Sequence, residues 1–376
     1  MIFTLCVISA LTSATPDPRD GVRRAVTTVV QPVMARYRIP GMAVGVVVAG
    51  KSYVFNYGVA SNQTRDPVTN DTLFELGSIS KTLTATLASY AQVRSDLSLS
   101  DKVGKYLPAL RGREFGDVTL LELGTHTPGG LPLQVPGDVR NDDELLQYLA
   151  RWRPTYAPGT YRTYTNIGIG TLGLITAKSM GGSFDALIER DIFAPIGMKN
   201  TYIEVPEAKM ADYAQGYTGD GSPIRMAPGT LWSEAYGVRA TAADVLRFLK
   251  ANMNMLSLDA NLQRALIETQ TGYFKAGVLT QDLIWEQFAY PAALKTLLAG
   301  NSSTMLFDPT PAVKITPPAE PGSDVWINKT GSTNGFSAYA AFIPKKRFAI
   351  VMLANKSFPI PDRVAAAYNI ATALSP

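Results

Sequence analysis

The chain has 376 residues, 46% of them hydrophobic and 18% charged, a composition that excludes disorder and leaves room for a large core. Thirty-five Lys and Arg against 31 Asp and Glu give a net charge of +4, too mild for a surface that tracks nucleic-acid phosphates. One histidine, His126, and one cysteine, Cys6, exclude a zinc site built on several imidazoles and an intramolecular disulfide. With Cys6 in the first apolar stretch, cysteine catalysis is excluded too.

Residues 1–15 carry no charge, and the mostly apolar run Ile2 to Leu11 ends in Thr12-Ser13-Ala14-Thr15, the small residues a signal peptidase needs. This segment reads as a secretory signal peptide. Its basic start is missing, so either the start is shortened or the segment is a buried strand. No later stretch reaches the roughly 18 apolar residues of a membrane span, so the mature chain is expected to be soluble, with no membrane partner.

Val22, Val26, Val29, Val30 and Val33 recur at helical spacing and predict an amphipathic helix over Gly21 to Arg38. After Pro40-Gly41, the β-branched run Met42 to Ala49 and the run Tyr53 to Val59 predict a hairpin. A helical pattern covers Thr82 to Val93. Between about 96 and 270 helices alternate with Pro/Gly-rich loops: Asp142 to Trp152, Gly168 to Met180 and Thr241 to Met253, the last with Thr241 and Asp244 at capping-box spacing. Strands return at Asp324 to Lys329, Ser337 to Ile343 and Phe348 to Ala354, followed by a helix from about Pro361 to Leu374. The expected architecture is α+β: a sheet-containing α/β domain from 16–95 and 271–376, with a mainly helical domain, 96–270, inserted between them. The cleft between the two is the default site.

Three short patterns carry candidate chemistry. In Ser78-Ile79-Ser80-Lys81, a helix beginning at or just before Ser78 puts the hydroxyl and the ammonium one turn apart on one face. The helix N-terminus and the cation both favour loss of the serine proton; alone, the pattern reads as a capped helix with a surface lysine. Tyr164-Thr165-Asn166 follows the turn Ala157-Pro158-Gly159-Thr160. A tyrosine held there beside two lysines would titrate below its usual value of about 10 and serve as a base. Lys329-Thr330-Gly331 closes a predicted strand, where a cation beside a hydroxyl suits a substrate carboxylate and Gly331 lets backbone approach a bound group.

The three occur once each, in the order SxxK, YxN, KTG. SxxK with KTG, and SDN as the middle element, is the signature of penicillin-binding proteins and class A β-lactamases; no SDN exists here, and a tyrosine as the middle element resembles the class C β-lactamases. Further segments resemble that family along nearly the whole mature chain: Gly129-Gly130-Leu131-Pro132-Leu133-Gln134-Val135-Pro136, Ala157-Pro158-Gly159-Thr160, Glu234-Ala235-Tyr236-Gly237-Val238, and Asn328 to Phe336.

The resemblance implies a β-lactamase/DD-peptidase-like fold, an antiparallel sheet from both chain ends flanked by helices. It implies Ser78 as the acyl-accepting nucleophile, Lys81 as its proton partner and Tyr164 as the base that activates the deacylating water. The backbone N–H groups of Ser78 and Ser332 would form the oxyanion hole. Gln134 and Asn166 would hold the side-chain amide of a β-lactam, Lys329 and Thr330 its carboxylate, and Tyr236 would wall the side-chain pocket. No cofactor and no metal is implied, and the enzyme is expected to be a periplasmic monomer, a cephalosporinase. A penicillin-binding DD-peptidase, a related serine esterase and an acylated sensor that does not turn over share the same motifs.

Some positions depart from the family pattern: Asn328 stands where many members have histidine, and Ser357 and Ile360 where some have asparagine, while Arg363 is retained. These changes bear on carboxylate recognition. Gly168-Ile169-Gly170-Thr171-Leu172-Gly173 matches a dinucleotide fingerprint but follows a polar loop where that motif needs an apolar strand, so it is assigned to close helix packing. No G-x-S-x-G elbow exists to pair with His126, which is read as a structural loop histidine.

Overall fold

The computed structural model describes residues 17–374; the expected signal peptide and Cys6 lie outside them. Ten strands form one antiparallel sheet. In chain order they are β1 (Gly41–Val48), β2 (Lys51–Gly58), β3 (Tyr161–Arg162), β4 (Gly272–Ala276), β5 (Leu279–Gln281), β6 (Glu286–Ala289), β7 (Thr310–Ala319), β8 (Val325–Ser332), β9 (Ser337–Ile343) and β10 (Phe348–Ala354). Across the sheet the order is β2-β1-β10-β9-β8-β6-β5-β4-β7-β3.

The central strands are continuous apolar runs because helices cover both faces. Val44 and Val46 of β1 pack with Val22, Val26 and Val30 of the helix Pro18–Tyr37 and with Ile370 of the C-terminal helix Ile360–Leu374. Ala43 and Val47, one step along the pleat, pack on the other face against Leu246 and Leu249 of the helix Ala242–Asn252. Register follows that pleat: Met42 pairs with Ala354 and Lys329 with Ala340.

Both ends of the chain thus contribute to one sheet with helices on its two faces, as expected, and β9 and β10 coincide with their predicted runs. From sequence, however, no strand is expected between residues 272 and 319, where β4 to β7 lie. The runs of β4, β5 and β6 are short, and β7 contains Pro311, Pro317 and Pro318, which read as breakers. Pro311 faces only the two-residue strand β3, and Pro317 and Pro318 fall where the β4–β7 register breaks between Lys314 and Ala319, so little of the ladder is lost.

The helix Ser80–Val93 is buried over nearly its whole length and packs on the helices Asn166–Ser179 and Ala260–Glu268. Gly170 and Gly173 are close-packing positions: a Cβ would lie 2.7 Å from Leu231 Cβ at the first and 2.7 Å from Glu234 Cγ at the second. The capping box expected at Thr241 is half formed. Thr241 Oγ1 accepts from the Asp244 N–H at 3.2 Å, but the Asp244 carboxylate turns to the Asn200 N–H and the Thr201 hydroxyl. Among the described residues, no helix is long and apolar enough to cross a membrane.

Candidate active site

Ser78 does not sit at a helix N-terminus but in the single 3₁₀ turn Gly77–Ile79 that leads into the helix at Ser80. The turn lies against the end of β8, and two glycines make that possible. Gly77 has φ +53°, and a Cβ there would lie 2.6 Å from the Ser332 backbone nitrogen; a Cβ on Gly331 would lie 2.0 Å from the Leu76 carbonyl oxygen. Backbone therefore meets backbone between the segments carrying Ser78 and Ser332. Arg363, 3% exposed, braces the far side: its Nη1 donates to the Gly331 carbonyl at 2.7 Å and to Ser332 Oγ at 2.8 Å.

The nine residues singled out in the sequence come together. Ser78, Gln134, Tyr164, Asn166, Tyr236, Thr330 and Ser332 line one cavity of about 610 Å³. Lys81 and Lys329 lie beneath it, 0% and 1% exposed. Lys81 Nζ donates to Ser78 Oγ at 2.9 Å and to the Ala235 carbonyl at 2.7 Å. Asn166 Nδ2 donates to Gln134 Oε1 at 2.8 Å. The Asn166 N–H donates to the Leu133 carbonyl and the Thr165 hydroxyl to the Pro132 carbonyl, which staples the 131–134 loop to the start of the helix.

Tyr164 is ringed by charge. Its ring centroid is 4.9 Å from Lys329 Nζ, 5.4 Å from Lys81 Nζ and 5.5 Å from the Arg162 guanidinium carbon. Burial pushes the phenol up, but Lys329, Lys81 and a hydrogen bond with Ser78 outweigh it and the net shift is downward. Burial likewise pulls Lys81 down to about 8; Tyr164 opposes that shift and Lys329 adds to it. A phenol and an ammonium both made more acidic share one hydroxyl, so each is deprotonated more often than its free counterpart and is available to accept the proton leaving Ser78.

A buried polar layer beneath the cavity has no signal in the sequence. Arg162, 2% exposed, donates through Nε to Gln281 Oε1 at 2.7 Å, through Nη1 to the Met305 carbonyl at 2.6 Å and through Nη2 to Glu286 Oε1 at 2.8 Å. Glu286 also lies 3.7 Å from Lys329 Nζ. Asn328, 0% exposed, faces this layer and not the cavity: it donates to Glu286 and accepts from Asn301 and the Tyr339 hydroxyl. Its difference from the family pattern is thus met below the floor, whereas Ile360 does line the cavity.

Known proteins resemble this chain along most of its length. The profile of the β-lactamase family matches residues 26–375. A β-lactamase of Lysobacter lactamgenus is 46% identical over 372 residues, 98% of this chain and 97% of that protein. Among solved structures, the D-alanine carboxypeptidase AmpC from Burkholderia cenocepacia is similar at 60% identity and TM-score 0.91, covering 94% of this chain and 99% of that one. A class C β-lactamase in complex with cefoxitin is similar at 49% identity and TM-score 0.92, with 94% and 99% covered. The chain belongs to the β-lactamase family, in its class C serine branch.

Proposed function

We propose that the chain hydrolyses β-lactams, cephalosporins foremost, by two acyl transfers at Ser78. Ser78 Oγ attacks the lactam carbonyl as its proton passes to the Lys81–Tyr164 pair; the ring C–N bond breaks and the proton is delivered to the departing nitrogen. Water then gives a proton to Tyr164 and attacks the ester, and the proton returns to Ser78 as the acid leaves. The N–H groups of Ser78 and Ser332 stabilise the oxyanion. Gln134 and Asn166 hold the side-chain amide, Lys329 and Thr330 the carboxylate, and Tyr236 walls the side-chain pocket. The observation that carries this reading is the 2.9 Å contact of Lys81 with Ser78 beside a phenol surrounded by cations. The enzyme acts as a periplasmic monomer on a small-molecule substrate, in the cleft between a sheet domain (16–95, 271–376) and an inserted helical domain (96–270).

Ser78→Ala tests the assignment: it should abolish hydrolysis of a chromogenic cephalosporin with an unchanged circular-dichroism spectrum, and measurable turnover by the variant refutes it. The 60% identity to a D-alanine carboxypeptidase favours a second reading, a peptidase with the same groups. Intact-protein mass spectrometry after mixing with a cephalosporin separates the two. Rapid return to free enzyme supports the lactamase, and an adduct on Ser78 lasting hours supports the peptidase.

A further inference from the structure

We infer that His126 is a positioning residue for Tyr164: it clamps residues 163 to 165 at three points and so sets how close the phenol stands to Lys81 and Lys329. The proposal rests on Tyr164 being the base. His126 is 0% exposed. Its carbonyl accepts from the Thr163 N–H at 2.8 Å, and its Nδ1 accepts from the Thr165 N–H at 3.3 Å. Between those two anchors its ring lies on the Tyr164 ring, centroids 4.4 Å apart at 39°. The residue before Tyr164, the residue after it and the phenol itself are all held by one side chain and its own carbonyl.

His126 adopts φ +59°, in the left-handed region that few non-glycine residues occupy and where histidine is among the more tolerant. That conformation lets carbonyl and ring face the same tripeptide. An Nδ1 that accepts a backbone N–H carries no proton, which leaves the proton on Nε2. Charging the ring would break the Thr165 contact and add a fourth cation beside Arg162, Lys329 and Lys81. Burial, followed by those three groups, holds the imidazole well below its ordinary range. His126 is therefore a neutral plate and takes no proton from the reaction.

The groups facing the phenol are Lys329, Lys81, Ser78, Arg162 and, in opposition, Glu286. Loosening the clamp lets the ring drift from the two ammonium groups, so Tyr164 loses acidity and the acid limb of kcat moves to higher pH. His126→Phe keeps the ring and removes the acceptor. It should lower kcat about tenfold or more, because a catalytic group displaced by 1 Å costs on the order of 10²-fold, with KM little changed and the acid limb shifted upward. His126→Asn places an amide oxygen where Nδ1 stood and tolerates positive φ, so it should recover most of kcat and the original limb. Because His126 is the chain's one histidine, the imidazole nitrogen resonances of the wild-type protein give a test that needs no variant. They should show the Nε2–H tautomer with no titration between about pH 5 and 8, where free imidazole titrates. A titrating or Nδ1-protonated histidine overturns the proposal. So does a His126→Phe enzyme that loses thermal stability but keeps wild-type kcat and pH limb. If Tyr164→Phe is itself fully active, the base assignment falls first; if Tyr164→Phe is inactive and His126→Phe is not, only the clamp falls.

Discussion

Tyr164 and Tyr236 line the same cavity, yet their phenols are driven in opposite directions. Burial raises both. At Tyr164 the Lys329 and Lys81 ammonium groups overcome burial and the net shift is down; at Tyr236 the Glu234 carboxylate adds to burial and the shift is up. The asymmetry extends behind each residue. Beneath Tyr164 lie three buried cations and one anion, Glu286. Behind Tyr236 lie Glu234 and Asp185, both raised first by burial and then by other carboxylates. Two copies of one side chain, one cavity, and opposite surroundings give a proton acceptor on one wall and an inert ring on the other.

The largest break in that contrast is Tyr164→Phe. The ring and its packing on His126 stay while the titrating oxygen goes, so kcat should fall by roughly 10² to 10⁴, the range for a positioned acid–base group. An unchanged steady-state rate removes Tyr164 from the mechanism. Next is the cationic layer itself. Arg162→Met leaves Glu286 buried with only the 3.7 Å Lys329 contact and a long amide bond from Asn328. Breaking such a pair from one side should cost about 3–5 kcal/mol in urea unfolding. Adding Glu286→Gln should restore much of the loss, because the stranded charge is then gone. A single variant as stable as wild type contradicts a buried, charged Glu286.

How much of this was legible depends on distance along the chain. Ser78 and Lys81 are one turn apart, and Lys329 and Thr330 are adjacent, so local pattern exposes them. Gln134 and Tyr236 surfaced only through the segments that contain them. Arg162 and Glu286 are 124 residues apart and Arg162 and Gln281 119, with no spacing rule to link them, and charged residues in short β3 and β6 look like surface. His126 reads as a loop histidine because neighbours in sequence say nothing of the tilted ring of residue 164 that packs on it. The same limit hides the short β4, β5 and β6 and the proline-marked β7, which become strands only when β8 and the rest of the sheet are beside them. Spacing to Lys81 alone predicts a helix start at or just before Ser78; the 3₁₀ turn reflects the close approach of Gly77 to Ser332, a tertiary constraint.

The acidic wall offers a smaller test. Burial, and then Asp185 and Asp142, raise Glu234 from 4.5 to about 7. The folded protein then binds a proton that the unfolded chain has released between those two values, so this group's contribution to stability is present below about pH 4.5 and lost as pH rises through about 7. Glu234→Gln removes the linkage. The variant should match wild type near pH 4.5 and exceed it at pH 8 by about 1–3 kcal/mol, a shift of one pKa unit being about 1.4 kcal/mol. Thermal unfolding at the two pH values measures it. A difference of the opposite sign means the carboxylate is paired and ionised, and the wall behind Tyr236 is not what raises its phenol.

The smallest effect belongs to Tyr236→Phe, and its smallness is the point. A phenol raised above 10 by burial and Glu234 keeps its proton at neutral pH, so the hydroxyl has no charge to lose. Removing an oxygen that holds no ionised partner should leave kcat and KM within about twofold, the scale of a change of 0.5 kcal/mol, with the acid limb of the pH–rate profile unmoved. Set beside Tyr164→Phe, the pair isolates electrostatic surroundings as the variable, since residue type, cavity and substitution are the same. A pH limb that shifts in Tyr236→Phe means the two walls exchange protons, and the division of the cavity into an acidic and a cationic side fails.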